Sequence, residues 1–507
     1  MSGGVHPMGD RALLIETADP LGMARAIADE FACHRLHGVV DIVPAAATVL
    51  VRFEEPADVD VRAISSLSPA PIPPSDPDAV LDVPVVYDGE DLAEVAAHAG
   101  IAPDEVAAVH AAGRYTVDFC GFAPGFGYLS GVDSRLHVPR LPSPRARVPA
   151  GSVALAAGYT AVYPTASPGG WRLIGRTHLA LFDPTREPAA LLQPGMTVHF
   201  RPVDNLPELM APPIVEDVIG TPTWLVDDPG PLALVQDLGR PGYGAIAVGT
   251  SGAFDRQSLR LANRLVGNKE SCAGLEVLGG GLTLQCLRAT AIAVMGLAPS
   301  VTIDGRPMSA ASPIAVRAGQ VLRILSPGSG LRTIVAMRGG IQGGRMLNSH
   351  ARDTLAALGP APIVRGDVVR LGEPEHDMVV DHAPVPTLDI SLTLPIIKGP
   401  RADWFTDDSW HVLLNDIFTV SPQSDRIGVR LQGPSLTRTA SDQHRELAPE
   451  GMVQGALQVP PDGKPVILGP DHPVTGGYPV IAVVTTSAVD RLAQAVPGTS
   501  VRFTLDR

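Results

Sequence analysis

Apolar residues come in short alternating or continuous runs broken by glycine and proline, and few stretches carry the i, i+3, i+4, i+7 spacing of a helix. The first 65 residues read as a small α/β unit. Residues 12–15 are strand-like, Pro20 opens a helix with the apolar face Ala24, Ile27, Ala28 and Phe31, and residues 49–53 form a second strand. Residues 66–80 hold five prolines and read as an extended connection. VPVVYD then predicts a strand, followed by two short helices ending at Gly100 and Gly113, both suited to C-caps. Strands and Gly/Pro turns fill 115–202, and 203–222 reads as an inter-domain linker. One more helix is capped by Asp255, buries Leu259, Ala262, Leu265 and Val266, and ends at Gly267-Asn268. Strands resume until a loose, Pro-rich stretch near 372–390, and a last unit runs from Leu394 to the end.

Two patterns recur. A glycine feeding a period-2 strand appears as GMTVHF from Gly195, GQVLRI from Gly319, GDVVRL from Gly366 and GTSVRF from Gly498. A Gly-Gly-aromatic turn appears in SPGGWRLIG from Ser167 and in HPVTGGYPVIAV from His472. Reused turn chemistry accounts for both echoes, and so do duplicated β-barrels.

Composition narrows the function classes. The chain has 507 residues, too many for one core, and 4% aromatics with Gly and Pro far above average, which fits many strands and turns. The net charge is −14 with no Lys/Arg run, so a nucleic-acid binder is set aside. The only lysines are Lys269, Lys398 and Lys464, which excludes a Walker phosphate loop and a Met-Lys-Met biotin acceptor. No run reaches membrane-spanning length, none of Cys33, Cys120, Cys272 and Cys286 forms C-x-x-C, and a cytoplasmic protein with no membrane partner is expected. Cys33, His34 and His37 lack a fourth nearby ligand, and no metal site is assigned to this chain.

Three loops carry candidate chemistry. GFAPGFGYL (121–129) holds two aromatics between Gly and Pro, a rigid apolar wall. VPAGS, continuing through Tyr163 to SPGGWRLIGRT, offers glycine N–H groups, the Ser152 hydroxyl and the Arg176 cation. GPDHPVTGGY (469–478) sets Asp471 beside His472, with Pro473 fixing their approach to a solvent-facing turn. Each is a structural turn if taken singly; together they predict a cleft in which glycine-rich backbone meets a carboxylate or phosphate.

In order along the chain, GDRALLIE, His110 with Tyr115, GFAPGFGYL, VPAGSVALAAG and YPTASPGGWRLIGRT make residues 1–205 resemble the B component of bacterial 5-oxoprolinase, the kinase-inhibitor type. VQDLGRPGYGAIAVGTSGAFDRQSLRLANRLVGN, PRADWFTDD, VSPQSDRIGVRLQGP, ELAPEGMVQGALQVPPDG and DHPVTGGYPVIAVV make residues 222–507 resemble its C component, the antagonist type. The same pair of domains forms the carboxyltransferase part of urea carboxylase and urea amidolyase. This chain departs from the family pattern at Gly127, usually bulkier, and at His350, usually arginine.

The resemblance implies a mainly β fold with α+β elements: cyclophilin-like β-barrel domains, one in the B half and two in the C half, behind a small N-terminal α/β unit. The implied domains are 1–65, 81–205, a linker at 206–221, 222–372 and 390–507. It implies ATP-dependent opening of 5-oxo-L-proline to L-glutamate together with the A component of 5-oxoprolinase, a separate protein, using ATP with Mg²⁺ and no biotin on this chain. Asp471, His472 and Asp425 are the implied catalytic groups. Phe122, Phe126, Tyr128, Ser152, Tyr163, Arg176, Arg240, Ser251, Asp255, Arg426 and Gln458 are the implied substrate- or phosphate-binding groups. A carboxyltransferase accepting carboxybiotin, and a regulator binding a histidine kinase, are the alternatives. A homo-oligomer is compatible with all three.

Overall fold

A computed structural model describes residues 4–71, 80–206, 219–297, 299–326, 329–385, 391–443 and 445–506. Much of the predicted linkers therefore lies outside the described residues: 72–79, 207–218 and 386–390.

The N-terminal unit is a four-stranded antiparallel sheet, ordered Val5–Pro7, Ala12–Glu16, Thr48–Phe53, Val39–Pro44, with the helix Pro20–Ala32 on one face. Asp19 caps that helix by accepting the Gly22 N–H at 2.9 Å. Its buried face is Met23, Ala26 and Ile27; Ala28 and Phe31 point to solvent, so the face is rotated by part of a turn from the expected one. The strands explain the correction. Leu13, Ile15, Val49, Val51 and Phe53 take Met23 and Ile27 on one face. Ala12, Leu14, Val43 and Leu50 on the opposite face join Met452, Val453, Val474, Val480 and Val483 of the last domain in one core. A sheet buried on both faces reads as a continuous apolar run rather than an alternation.

The second unit is a seven-stranded sheet. In order its strands are Arg172–Arg176, Ser152–Ala156, Tyr159–Val162, Gly127–Ser130, Tyr115–Cys120, Thr197–Pro202 and Val80–Val85. Its two edges meet where Val86 donates to the Arg176 carbonyl at 3.0 Å and Arg176 donates back at 2.9 Å, closing a barrel. The helices Leu92–Ala99 and Pro103–Ala112 lie between its first two strands in sequence. Gly100 ends the first in the left-handed region at φ +69°, as expected, whereas Gly113 leaves the second in extended conformation.

Residues 221–371 form two sheets, of seven and five strands, over a shared core that includes Trp224, Leu275, Ile292, Leu322 and Val335. The helix Arg256–Leu265 buries Leu259, Ala262 and Leu265 as predicted. The last domain is a closed seven-stranded barrel, and its strand order repeats that of the B-half barrel position for position. In both, the first strand pairs parallel with the last: Val80–Val85 with Thr197–Pro202, and Ser391–Lys398 with Ser500–Leu505. The short ribbon Ser167–Gly169 with Arg145–Val148 has its counterpart in Thr475–Gly476 with Glu450–Gly451. The Gly-Gly-aromatic echo is therefore one turn at equivalent places in two barrels of the same topology.

Candidate functional site

The B-half loop 121–129 and the C-half turn 475–478 meet edge to edge. A Cβ at Gly121 would collide with Thr475 Oγ1, so only glycine allows the approach. Phe122 is held at φ +67°, rare for a bulky residue, with its N–H donated to Thr475 Oγ1 at 3.2 Å. Its ring packs edge-on to Phe126 and Tyr163, and Tyr128 stacks on Phe119 at 4.2 Å, an aromatic plug that stiffens the loop. Phe122 (38% exposed) and Tyr478 (45%) remain open to solvent. They face a cleft of about 760 Å³ between the halves, lined also by Tyr128, Arg140, Arg438 and Arg445. Behind the turn, Gln458 Nε2 donates to the Tyr478 carbonyl at 3.3 Å.

Asp471 and His472 do not face this cleft. Asp471 is 1% exposed and accepts from Ser251 Oγ (2.6 Å), Thr354 N–H (2.9 Å) and Oγ1 (2.7 Å), and from the Arg426 fork at 2.9 and 3.0 Å. Arg426 also donates to Glu276 at 2.6 Å and to the Gly252 carbonyl at 2.6 Å, and Arg332 lies 3.3 Å from Glu276. Burial pushes the Asp471 carboxyl up, but the Arg426 charge and these donors outweigh it and hold the group below the ordinary range. Burial likewise works against the charge of Arg426, and Glu276 and Asp471 reverse it, holding the guanidinium more firmly protonated than usual. Burial beside Asp471 lifts Asp353 to about 6. His472 is 7% exposed; its Nδ1 is 2.9 Å from the Pro473 carbonyl, and burial pushes it down to about 4, so it is neutral near pH 7. The solvent-facing placement expected for these two residues is thus corrected. Within this turn only Gly477 and Tyr478 are exposed, and Val474 and Thr475 are still buried.

Of the expected site residues, the structure brings Phe122 and Tyr128 to the cleft, with Phe126 and Tyr163 in the plug behind them and Gln458 beneath the turn. Ser251, Arg426 and Asp471 form the buried ionic knot. Arg240 lies beside it, 1% exposed, with one guanidinium nitrogen donating to the Ala351 carbonyl and burial lowering its pKa. Four residues lie apart from the cleft. Ser152 Oγ donates to the Pro149 carbonyl at 2.8 Å, closing its own turn. Arg176 pairs with Asp88 at 2.9 Å on the barrel surface. Asp255 caps its helix through Ser258. Asp425 is exposed and accepts the Ile427 and Gly428 N–H groups, an Asx turn. His350 donates its N–H to Asp237 and holds the Gly343 carbonyl at 2.9 Å, a local structural role. Arg140, Arg438 and Arg445 carry no signal along the chain, because none sits in a glycine-rich loop. Among the described residues no three His, Cys, Asp or Glu side chains converge on a metal position.

A carboxyltransferase-domain model, subdomains A and B, matches residues 246–505, and a second, subdomains C and D, matches 4–192. The chain belongs to the carboxyltransferase-domain family. It is 40% identical to the B component of the 5-oxoprolinase of Escherichia coli O157:H7 over 207 residues, 38% of this chain and 94% of that protein. It is 32% identical to the C component of the 5-oxoprolinase of Haemophilus influenzae over 279 residues, 54% of this chain and 87% of that protein. The solved structure of TTHA0988 is 32% identical, with a TM-score of 0.86, and the match covers 97% of this chain and 99% of that one. Urea carboxylase of Kluyveromyces lactis is 30% identical over 57% of this chain and 28% of that one, with a TM-score of 0.54. One chain thus matches both the B-related and the C-related 5-oxoprolinase sequences.

Proposed function

We propose that this chain is the fused B and C component of an ATP-dependent 5-oxoprolinase, active with a separate A component. The observation that carries the reading is the shared cleft: Phe122, Tyr128 and Arg140 come from the B-related half, and Arg438, Thr475 and Tyr478 from the C-related half. A lactam carbonyl is a weak electrophile. Transfer of a phosphoryl group from ATP to its oxygen would provide a leaving group, and that chemistry needs cations and N–H donors around oxyanions. The arginines, the Thr475 and Tyr478 hydroxyls and the open backbone at Gly477 offer such groups. Asp471 acts as a positioning residue, anchoring the turn whose outer half reaches the cleft. Mg²⁺ is expected to arrive as the nucleotide's chelate, held mainly by the phosphates, as Mg²⁺ in such sites usually is.

Mixing the purified chain with the A component of a 5-oxoprolinase, ATP-Mg²⁺ and 5-oxo-L-proline should release glutamate and phosphate in equal amounts, with little turnover by either protein alone. Full turnover by the isolated chain, or none in the mixture, refutes the reading. The relatedness to urea amidolyase and urea carboxylase supports a second reading, a carboxyltransferase fed by a separate biotin carrier. Decarboxylation of free carboxybiotin stimulated by this chain would favour it.

A further inference from the structure

We propose that Arg140 and Arg438 form an oxyanion subsite that spans the two halves and takes the carboxylate or phosphate group of a small ligand, an inference that rests on reading the cleft as the working site. Among the described residues neither Arg140 nor Arg438 has a carboxylate within ion-pair distance, yet both line the same cleft. Arg445, beside them, is already neutralised by Asp442 at 3.2 Å and lies over the Trp404 ring at 4.6 Å.

The two arginines are held differently. Arg438 is half-buried and tethered by donation to the Arg445 carbonyl at 3.2 Å and the Val459 carbonyl at 3.5 Å. These tethers fix the guanidinium without cancelling its charge, and its remaining N–H groups stay available. Arg140 is exposed, at the rim of the B-half wall, and its charge acts on Tyr128 and Tyr163 in the aromatic plug. One cation from each half can grip an oxyanion, while the Phe122 and Tyr478 rings cover an apolar ring or chain attached to it. Glu446 and Asp462 also line the cleft and stand outside ion-pair distance of both arginines.

The test is direct binding to the full chain by calorimetry, with 5-oxo-L-proline, inorganic phosphate and the neutral lactam 2-pyrrolidinone as ligands. The chain should bind at least one of the two oxyanions and bind 2-pyrrolidinone far more weakly. Arg140→Gln and Arg438→Gln should each weaken oxyanion binding about tenfold, the value of one charge-assisted hydrogen bond. Arg135→Gln, at a surface arginine paired with Asp133, should leave binding unchanged. Binding of phosphate alone assigns the subsite to a phosphoryl group, and binding of 5-oxo-L-proline alone assigns it to the substrate carboxylate. Oxyanion binding that survives in the double variant within about twofold, or no binding of either oxyanion at millimolar concentration, overturns the proposal. Should Arg438→Gln melt early, the exposed Arg140→Gln carries the test by itself. Arginine-dependent binding without turnover beside the A component would refute the 5-oxoprolinase reading and leave the subsite standing.

Discussion

The B-half barrel and the closing barrel share one strand order, yet the loop after the second strand has opposite chemistry in each. In the B half that loop is GFAPGFG, apolar and aromatic, with Phe122 open to the cleft. In the closing barrel the equivalent loop, between Phe418–Val420 and Gly428–Gln432, carries Asp425 and Arg426, and Arg426 is driven into a dry ionic knot. Topology places both loops at a domain boundary; what each abuts decides its work. The first meets a space large enough for a small ligand, and the second, through Arg426, meets Gly252 and Glu276 of the neighbouring domain. A charged loop is thereby structural and an apolar one lines the cleft, the reverse of what residue type alone suggests.

Swapping the two loops' fates is the sharpest way to break this contrast. Arg426→Ala strips the partner from Asp471 and Glu276, both buried, and should destabilise the fold by about 3–5 kcal/mol. Loss of soluble protein, or a fall of several degrees in melting temperature, is the expected readout. Unchanged melting would mean that water fills the knot at no cost and that the contrast is only geometric. Phe122→Ala should do the opposite. Its ring is 38% exposed, so melting should move little, while turnover beside the A component should drop about tenfold as the cleft loses its wall.

Much of this architecture was legible along the chain. Turn glycines marked the strand starts, Asp255 marked its helix, and the Gly-Gly-aromatic echo pointed to duplicated barrels. Local chemistry misled at two kinds of place. In 471–478, Pro473 and Gly476-Gly477 suggest a turn in solvent, and they do describe its outer half. The inner half is set by Arg426, 45 positions away, and by Ser251, 220 positions away. The phase of the first helix depended on a sheet buried on both faces, and one of those faces is covered by a domain more than 400 residues further on. The same interlock means that chain cut at the linker should stay associated, because Leu14, Val43 and Leu50 share a core with Val474, Val480 and Val483.

Proton linkage offers a subtler contrast inside the knot. Burial lowers His472 from 6.5 to about 4, so the unfolded chain binds a proton that the folded chain refuses between those values. Stability from His472 is complete above about pH 6.5 and is lost as pH falls through about 4. Asp353 and Asp490, both raised to about 6 by burial, act in the opposite sense, since the folded chain takes up their protons first. The wild-type slope mixes these opposing contributions, so the informative quantity is a difference between proteins. His472→Gln should be less sensitive than the wild type to acidification from pH 6.5 to 4, by on the order of 2–3 kcal/mol in chemical denaturation. Parallel curves for the two proteins would show that His472 is hydrated rather than buried.

The smallest effect is expected where the two barrels close. In the closing barrel the seam is a run of backbone pairs, Ile396 with Val484, Ile397 with Val483 and Lys398 with Ala482. In the B half it is the single reciprocal bridge between Val86 and Arg176, with the Arg176 side chain paired to Asp88 at 2.9 Å just outside. Both partners of that pair are about half exposed, at 51% and 44%, where an ion pair contributes between nothing and about 1 kcal/mol. Arg176→Ala keeps the backbone bridge, so stability and turnover should both stay close to wild type. Val86→Pro removes the N–H that the bridge needs and should open the seam, with a clear loss of melting temperature. If Arg176→Ala is the more damaging of the two, the B-half barrel is closed by its charges rather than by its backbone, and its likeness to the closing barrel ends at strand order.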